Sequence, residues 1–316
     1  VETSSQHRMT LLSWMRAVAT RIPDEVQESI LAAMERPPQE LNAQHVQRRF
    51  DRAASTFGRA DYVHRHAFEG LLERLDPLRI SPDWILDLGA ANGAGSRLLG
   101  KRYRKARIVS GDLSMAMLRQ ARDARGFLSK AREARMDARQ LPLLDGSIDL
   151  VVANMLLPWI DDLPGCLREV GRVLRKGGVF TFATLGPGSF EPLRRVDGSE
   201  TRLNAFADMH DVGDALVQAG LADPVLDVDR LTITWPDIAA IRRDHVASGG
   251  GNARRDRAAT LTGRSRLADV LDALRRDDGF AAEIELVYGH AWSTGPRAEA
   301  GEFHIDAGAI GRRPGR

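Results

Sequence analysis

The sequence predicts an α/β fold: a doubly wound, mostly parallel sheet with an antiparallel last strand, preceded by helices and interrupted by a helical insertion. Two observations carry this expectation. From Trp84 onward, short apolar runs alternate with amphipathic helical stretches, the pattern of parallel strands joined by helical crossovers. The first such run then enters a glycine-bearing turn, Asp87-Leu88-Gly89-Ala90-Ala91-Asn92-Gly93-Ala94-Gly95, which lets backbone approach a ligand at the carboxyl edge of a sheet.

Taken in order, residues 1–38 read as an appended helical arm, amphipathic from Leu11 to Met34, interrupted at Pro23 and closed by Pro37-Pro38. Residues 39–80 carry two helical patterns, Val46-Phe50-Ala53-Ala54-Phe57 and Phe68-Leu71-Leu72-Leu75, and are expected to form a lid. The α/β core spans 81–235. Its expected strands are Trp84–Leu88, Arg107–Gly111, Glu133–Met136, Ile148–Ala153 and Gly178–Thr184, with helices over Gly95–Tyr103, Met115–Ala124 and Leu163–Leu174. The connection Asp137–Ser147 is too short and proline-interrupted for a helix. Asp208–Ala219 reads as a helix and Pro224–Trp235 as extended chain. Residues 236–277 form the insertion, helical around Ser248-Gly249-Gly250-Gly251-Asn252; 278–294 hold the last strand and 295–316 a tail.

Composition narrows the function classes. Lys+Arg number 45 against Asp+Glu 43, a formal charge of +2 in 316 residues, without the lopsided excess of a nucleic-acid binder. The single cysteine, Cys166, permits no intrachain disulfide and suits a reducing compartment. No apolar run approaches the ~18 residues of a membrane span. A cytoplasmic protein with no nucleic-acid partner, no membrane and no metal is expected.

The glycines of the turn follow G-x-x-x-G-x-G rather than the G-x-G-x-x-G of a dinucleotide fingerprint, which disfavours a nicotinamide enzyme. An acidic residue before the first glycine suits a ligand bearing an ammonium group, as S-adenosyl-L-methionine does. Asp112, ending the second strand, is placed to accept both ribose hydroxyls. Asp137, ending the third, is placed for the adenine amino group, with the Ala138 backbone beside a ring nitrogen. Asn154 ends the fourth strand at the same edge. The expected cofactor-binding set is therefore Asp87, Gly89, Ala90, Gly93, Asp112, Leu113, Asp137, Ala138 and Asn154. A single strand-end aspartate is more often a helix cap; four elements in this order at successive strand ends specify a nucleotide site.

Several longer strings are more specific. They include Arg49-Phe50-Asp51-Arg52-Ala53-Ala54, Phe182-Ala183-Thr184-Leu185-Gly186-Pro187, Asp208-Met209-His210-Asp211-Val212-Gly213-Asp214-Ala215-Leu216, and Val287-Tyr288-Gly289-His290-Ala291-Trp292. Over roughly residues 41–293 the chain resembles class I S-adenosylmethionine-dependent methyltransferases. More narrowly, it resembles the malonyl-acyl-carrier-protein O-methyltransferase (BioC) family of biotin synthesis. The resemblance implies O-methylation of the free carboxylate of a malonyl thioester, with an acyl carrier protein or small carboxylate as partner. Three positions depart from the family pattern: Ala91 replaces the middle glycine of the loop, Phe57 a tyrosine and Ala205 an arginine. Other readings of the resemblance are a methyltransferase with another acceptor, or an adenosylmethionine-binding assembly or hydroxylation factor related to complex I assembly proteins.

A carboxylate acceptor is ionised at neutral pH and needs no general base, so no catalytic residue is assigned. On the substrate side, Phe57 and Trp159 are expected as apolar lining, His210 as the nearby histidine, and Arg254 and Arg255, with Arg242, Arg243 and Arg257 of the same insertion, as contacts to an acidic carrier.

Overall fold

A computed structural model describes residues 41–127, 129–196, 203–255 and 263–295. The expected N-terminal arm and the tail beyond residue 295 lie outside the described residues. Helix α1 (Ala43–Ala53) begins at Asn42, whose side chain accepts the His45 N–H at 3.1 Å, satisfying one of the helix's free donors. A single turn at Phe57–Arg59 leads into α2 (Tyr62–Leu75). The buried face of α2, Ala67, Phe68, Leu71 and Leu75, has helical spacing and packs onto Ile85, Leu150 and Val152 of the sheet.

The sheet comprises β1 (Trp84–Leu88), β2 (Arg107–Asp112), β3 (Ala131–Arg135), β4 (Ile148–Asn154), β5 (Leu174–Leu185), β6 (Leu221–Trp235), β7 (Arg275–Arg276) and β8 (Gly279–Ser293). Their order is β3-β2-β1-β4-β5-β8-β6, with β7 paired to β8. Strands β1 to β5 pair in parallel, whereas β8 runs antiparallel to both β5 and β6. The crossovers are α3 (Ala94–Arg102), α4 (Met115–Asp123) and α5 (Leu163–Val173). Ile85, Leu150 and Val152 face one core, and Leu86, Leu88, Val151 and Ala153 the other. The central strands are thus buried on both faces, which is why they read as continuous apolar runs.

Two strand positions differ from the expectation. β5 starts at Leu174, directly after α5, and a register shift between Ile148 and Leu150 accommodates the kink at Gly177, where φ is +73°. β3 lies at Ala131–Arg135 because it is the sheet edge, where exposed arginines mask the apolar period.

The segment between β3 and β4 is non-helical and is held by Arg172 of α5. Its guanidinium donates to the carbonyls of Leu141 and Leu143, both at 2.8 Å, and to Asp145 at 2.6 Å, while Glu169 accepts from its Nε at 2.7 Å. Arg172→Ala leaves two carbonyls without their donor and is expected to cost roughly 2–4 kcal/mol, measured by urea unfolding. A loss below ~1 kcal/mol would mean that solvent replaces those contacts.

After β5 come a short helix α6 (Glu191–Arg194) and α7 (Met209–Gln218), the latter capped by Asp208. The insertion contains α8 (Ile238–Ala247) and α9 (Arg264–Leu274). Arg49 of α1 ties it down by donating to Gly250 O at 2.6 Å and Asn252 O at 2.9 Å. The Asn42 N–H adds a bond to Ala253 O at 3.0 Å. Among the described residues no helix is long and apolar enough to cross a membrane, and no group of three or more metal-ligating side chains converges.

Candidate active site

The strand order reverses between β1 and β4, since the chain builds β2 and β3 outward and then returns. Ligands of doubly wound sheets bind at such a switch point, and a cleft opens there at the carboxyl edge. It has two lobes. Asp112, Leu113, Met136, Asp137, Ala138 and Trp159 line one; Asp61, Asp87, Ala90, Asn92 and Gly95 line the other. Phe57, His64, Gly89, Ala91 and Asn154 border both.

The loop after β1 is closed by its own backbone: the N–H groups of Gly89 and Ala90 donate to Gly111 O at 2.8 and 2.9 Å. Gly89 has φ of +80° and Ala91 of +45°. Ala91 therefore sits in the left-handed region, where its Cβ costs about 1–2 kcal/mol relative to glycine. Its methyl also packs against Ala53, Ala54, Phe57 and Met117. Phe57 and Ala91, the two positions singled out in the sequence, thus meet in one apolar cluster.

Asp112 accepts the Ala91 N–H on one oxygen at 2.9 Å and the Ser114 N–H on the other at 2.8 Å. Burial raises its pKa above the ordinary carboxylate value, opposed by these backbone bonds. Asp87 is buried and accepts from Ser96 Oγ at 2.6 Å; burial pushes its pKa up to about 6. Asp137 is clamped by Arg139, whose Nη2 and Nε reach it at 2.7 and 3.0 Å. That hydrogen bonding holds its carboxyl below the usual range. Asn154 donates from Nδ2 to the His64 carbonyl at 2.9 Å, while its Oδ1 is buried without a partner.

Of the residues expected from sequence, Asp87, Gly89, Ala90, Asp112, Leu113, Asp137, Ala138, Asn154, Phe57 and Trp159 line the cleft. Gly93 does not: it turns the chain into α3 with φ of +73°, and a Cβ there would lie 2.8 Å from the Ala121 Cβ. His210 is exposed in the first turn of α7, away from both lobes. Arg254 pairs by backbone with Leu41, and Arg255 follows it on the surface. Neither lines the cleft, although neighbouring Ala253 packs with Leu41 and Val46 behind Phe50 and Trp159. Ala205 is exposed, beside buried Asn204, whose Oδ1 accepts the Ala253 N–H at 3.1 Å.

Two site residues escaped the sequence reading. Asp51 of α1 accepts from Ser114 Oγ at 2.6 Å, fastening α1 beside Asp112 at the start of α4. His64 stacks edge-on against Phe57, with ring centroids 5.0 Å apart. Its Nδ1 is buried without a partner, and burial lowers its pKa to about 4. The signal was its spacing, since 64, 68, 71 and 75 continue the apolar stripe of α2 by one turn. An NMR titration of the His64 ring should show no protonation step above pH 5. A midpoint near 6.5 would place the ring in solvent.

A family described as a methyltransferase domain matches residues 86–182. The YcgJ protein of Bacillus subtilis shares the fold, with a TM-score of 0.54 at 15% identity over 74% of this chain and 100% of that one. A putative methyltransferase of Bacillus halodurans gives 0.53 at 14% identity, over 73% and 99%. In sequence, the malonyl-[acyl-carrier protein] O-methyltransferase of Laribacter hongkongensis is 41% identical over 265 residues, covering 78% of this chain and 88% of the relative. The protein of the same description from Halorhodospira halophila is 40% identical over 287 residues, covering 87% and 97%. Identity at that level over most of both chains means that the chain belongs to the malonyl-[acyl-carrier protein] O-methyltransferase family.

Proposed function

We propose that this protein esterifies the free carboxylate of a malonyl thioester borne by an acyl carrier protein, a methyl transfer in biotin synthesis, with S-adenosyl-L-methionine as donor. Its family membership supports the acceptor. The observation that carries the donor site is the two-lobed cleft at the switch point, with acidic side chains in both lobes. The buried, unpartnered Oδ1 of Asn154 fits such a donor, because an acceptor atom in that position calls for an N–H group. Asp87 offers negative charge to an ammonium in one lobe. In the other, Asp112 would accept from the ribose hydroxyls, Leu113 would lie against the adenine ring, and Asp137 and Ala138 would meet its polar edge.

Adenosylmethionine supplies a methyl group activated on a sulfonium. An acceptor carboxylate oxygen would take that methyl, forming a C–O bond as the C–S bond breaks and its electron pair stays on sulfur. The residues bordering both lobes would surround the donor. Phe57, with Phe50 and Trp159 beside it, walls the cleft with apolar surface and excludes water. His64, neutral at pH 7, borders both lobes and would add no second cation beside the sulfonium. The acceptor needs no base, so alignment is the main demand. The buried thiol of Cys166 and a carrier-bound acceptor fit a cytoplasmic setting.

The reading is tested by mass spectrometry of malonyl-carrier protein incubated with this protein and adenosylmethionine. The expected product gains one CH2 and loses it to an esterase. An unchanged carrier mass, with the donor still bound, would refute the acceptor assignment.

A further inference from the structure

Helix α8 has two faces of different character. Inward, Ala240 is buried, Ile241 packs on Leu274, Phe280 and Ala282, and Asp244 accepts from Trp235 Nε1 at 2.9 Å and Tyr62 Oη at 3.4 Å. Outward, Ile238, Arg242 and Val246 recur every four residues and so share a face. Ile238 is 46% exposed and Val246 67%, and Arg242 and Arg243 are exposed beside them. The Phe57–Arg59 turn packs against this helix, bringing exposed Arg59 near it, and exposed Arg52 precedes Ala53 of α1, whose Cβ would lie 3.4 Å from a Cβ on Gly249 at the end of α8.

Among the described residues, Arg52, Arg59, Arg242 and Arg243 have no ion-pair partner. Arg74, Arg102, Arg125, Arg139 and Arg172 each pair with a carboxylate. Like charges gathered without counter-charges repel one another, and the repulsion is relieved when an acidic surface binds. Exposed aliphatic side chains among them add the apolar centre that a docking surface needs. The surface also borders the cleft. The C-terminus of α8 runs into Gly249, where a Cβ would lie 3.1 Å from Cδ1 of Phe50, a cleft-wall residue.

We propose that Ile238 and Val246, ringed by Arg52, Arg59, Arg242 and Arg243, dock an acidic amphipathic helix of the carrier protein. The inference rests on the carrier-bound acceptor proposed above. Of the insertion's arginines to which the sequence pointed, it keeps Arg242 and Arg243 on the exposed face of α8 and gives Arg254 and Arg255 no principal part; Arg257 lies outside the described residues.

The test measures the affinity of fluorescently labelled malonyl-carrier protein by anisotropy, with adenosylmethionine affinity by calorimetry as the check on folding. The double variant Arg242→Glu/Arg243→Glu should weaken carrier binding at least tenfold and leave the donor affinity within twofold. Val246→Asp should weaken it severalfold. Lys101→Glu/Arg104→Glu makes the same charge change just before β2, at the amino edge of the sheet away from the cleft, and should leave carrier binding within twofold. Unchanged carrier binding in the α8 variants, or an equal loss in the Lys101/Arg104 control, would overturn the surface while leaving carrier methylation intact. Absence of methyl transfer to the carrier by the native protein would instead remove the acceptor reading beneath it.

Discussion

Asp112→Ala is expected to weaken adenosylmethionine binding by more than tenfold, measured by titration calorimetry. The carboxylate has two tasks. It holds the Ala91 and Ser114 N–H groups, one on each oxygen, and its remaining lone pairs face the lobe proposed for the ribose. Removing an acceptor from a partly buried donor costs about 1–3 kcal/mol, and tenfold in affinity is ~1.4 kcal/mol. Loss of both hydroxyl contacts passes the threshold even at the lower bound, and slackening of the loop between Gly89 and Gly93 adds to it. Asp112→Asn separates the tasks. One amide oxygen still accepts, but the NH2 group opposes a backbone N–H, so its affinity should fall between those of the native protein and the alanine variant. Equal affinity in native protein and Asp112→Ala would remove Asp112 from the donor site.

The features legible in the sequence were those written locally. β1, β2 and β4 lie inside the sheet with both faces buried, so their apolar runs have almost the observed limits and their ends expose the acidic residues in order. β3 was displaced because an edge strand rich in arginine has no apolar period to read. The two helices before the sheet were visible as helical spacing, but their attachments were not. Asp51 reaches Ser114 across 63 residues and Arg49 reaches Gly250 across 201, and no local pattern encodes such pairs. The clamp of Arg139 on Asp137 spans only two residues, yet it emerges only when the third dimension shows both carboxylate oxygens turned to one guanidinium. The departures at Ala91 and Phe57 looked independent in sequence; in the fold they pack in one cluster, so neither substitution is isolated.

Asp87→Asn should move stability and donor binding in opposite directions. The buried Asp87 carboxyl has its pKa raised from 3.8 to about 6 by burial. A raised folded pKa means that this group's contribution to stability is complete below 3.8 and is lost as the pH climbs through about 6. Above that pH the apoprotein carries an ionised, buried carboxylate, at a cost of roughly 3 kcal/mol. Asparagine keeps a hydrogen-bonding partner for Ser96 without the charge. The variant should therefore melt on the order of 5 °C higher than the native apoprotein at pH 8, with the difference vanishing near pH 4. The charge is expected to be retained for the donor's ammonium, so the thermal shift produced by adenosylmethionine should shrink in the variant at pH 8. His64 acts in the opposite sense: its folded pKa of about 4 lies below the ordinary 6.5, so its contribution is lost as the pH falls. The native melting curve alone mixes the two groups, whereas the difference between native protein and Asp87→Asn at each pH isolates the carboxylate. A variant that melts lower at pH 8, or one that binds the donor as tightly as the native protein, would mean that the Asp87 charge serves the loop rather than the ligand.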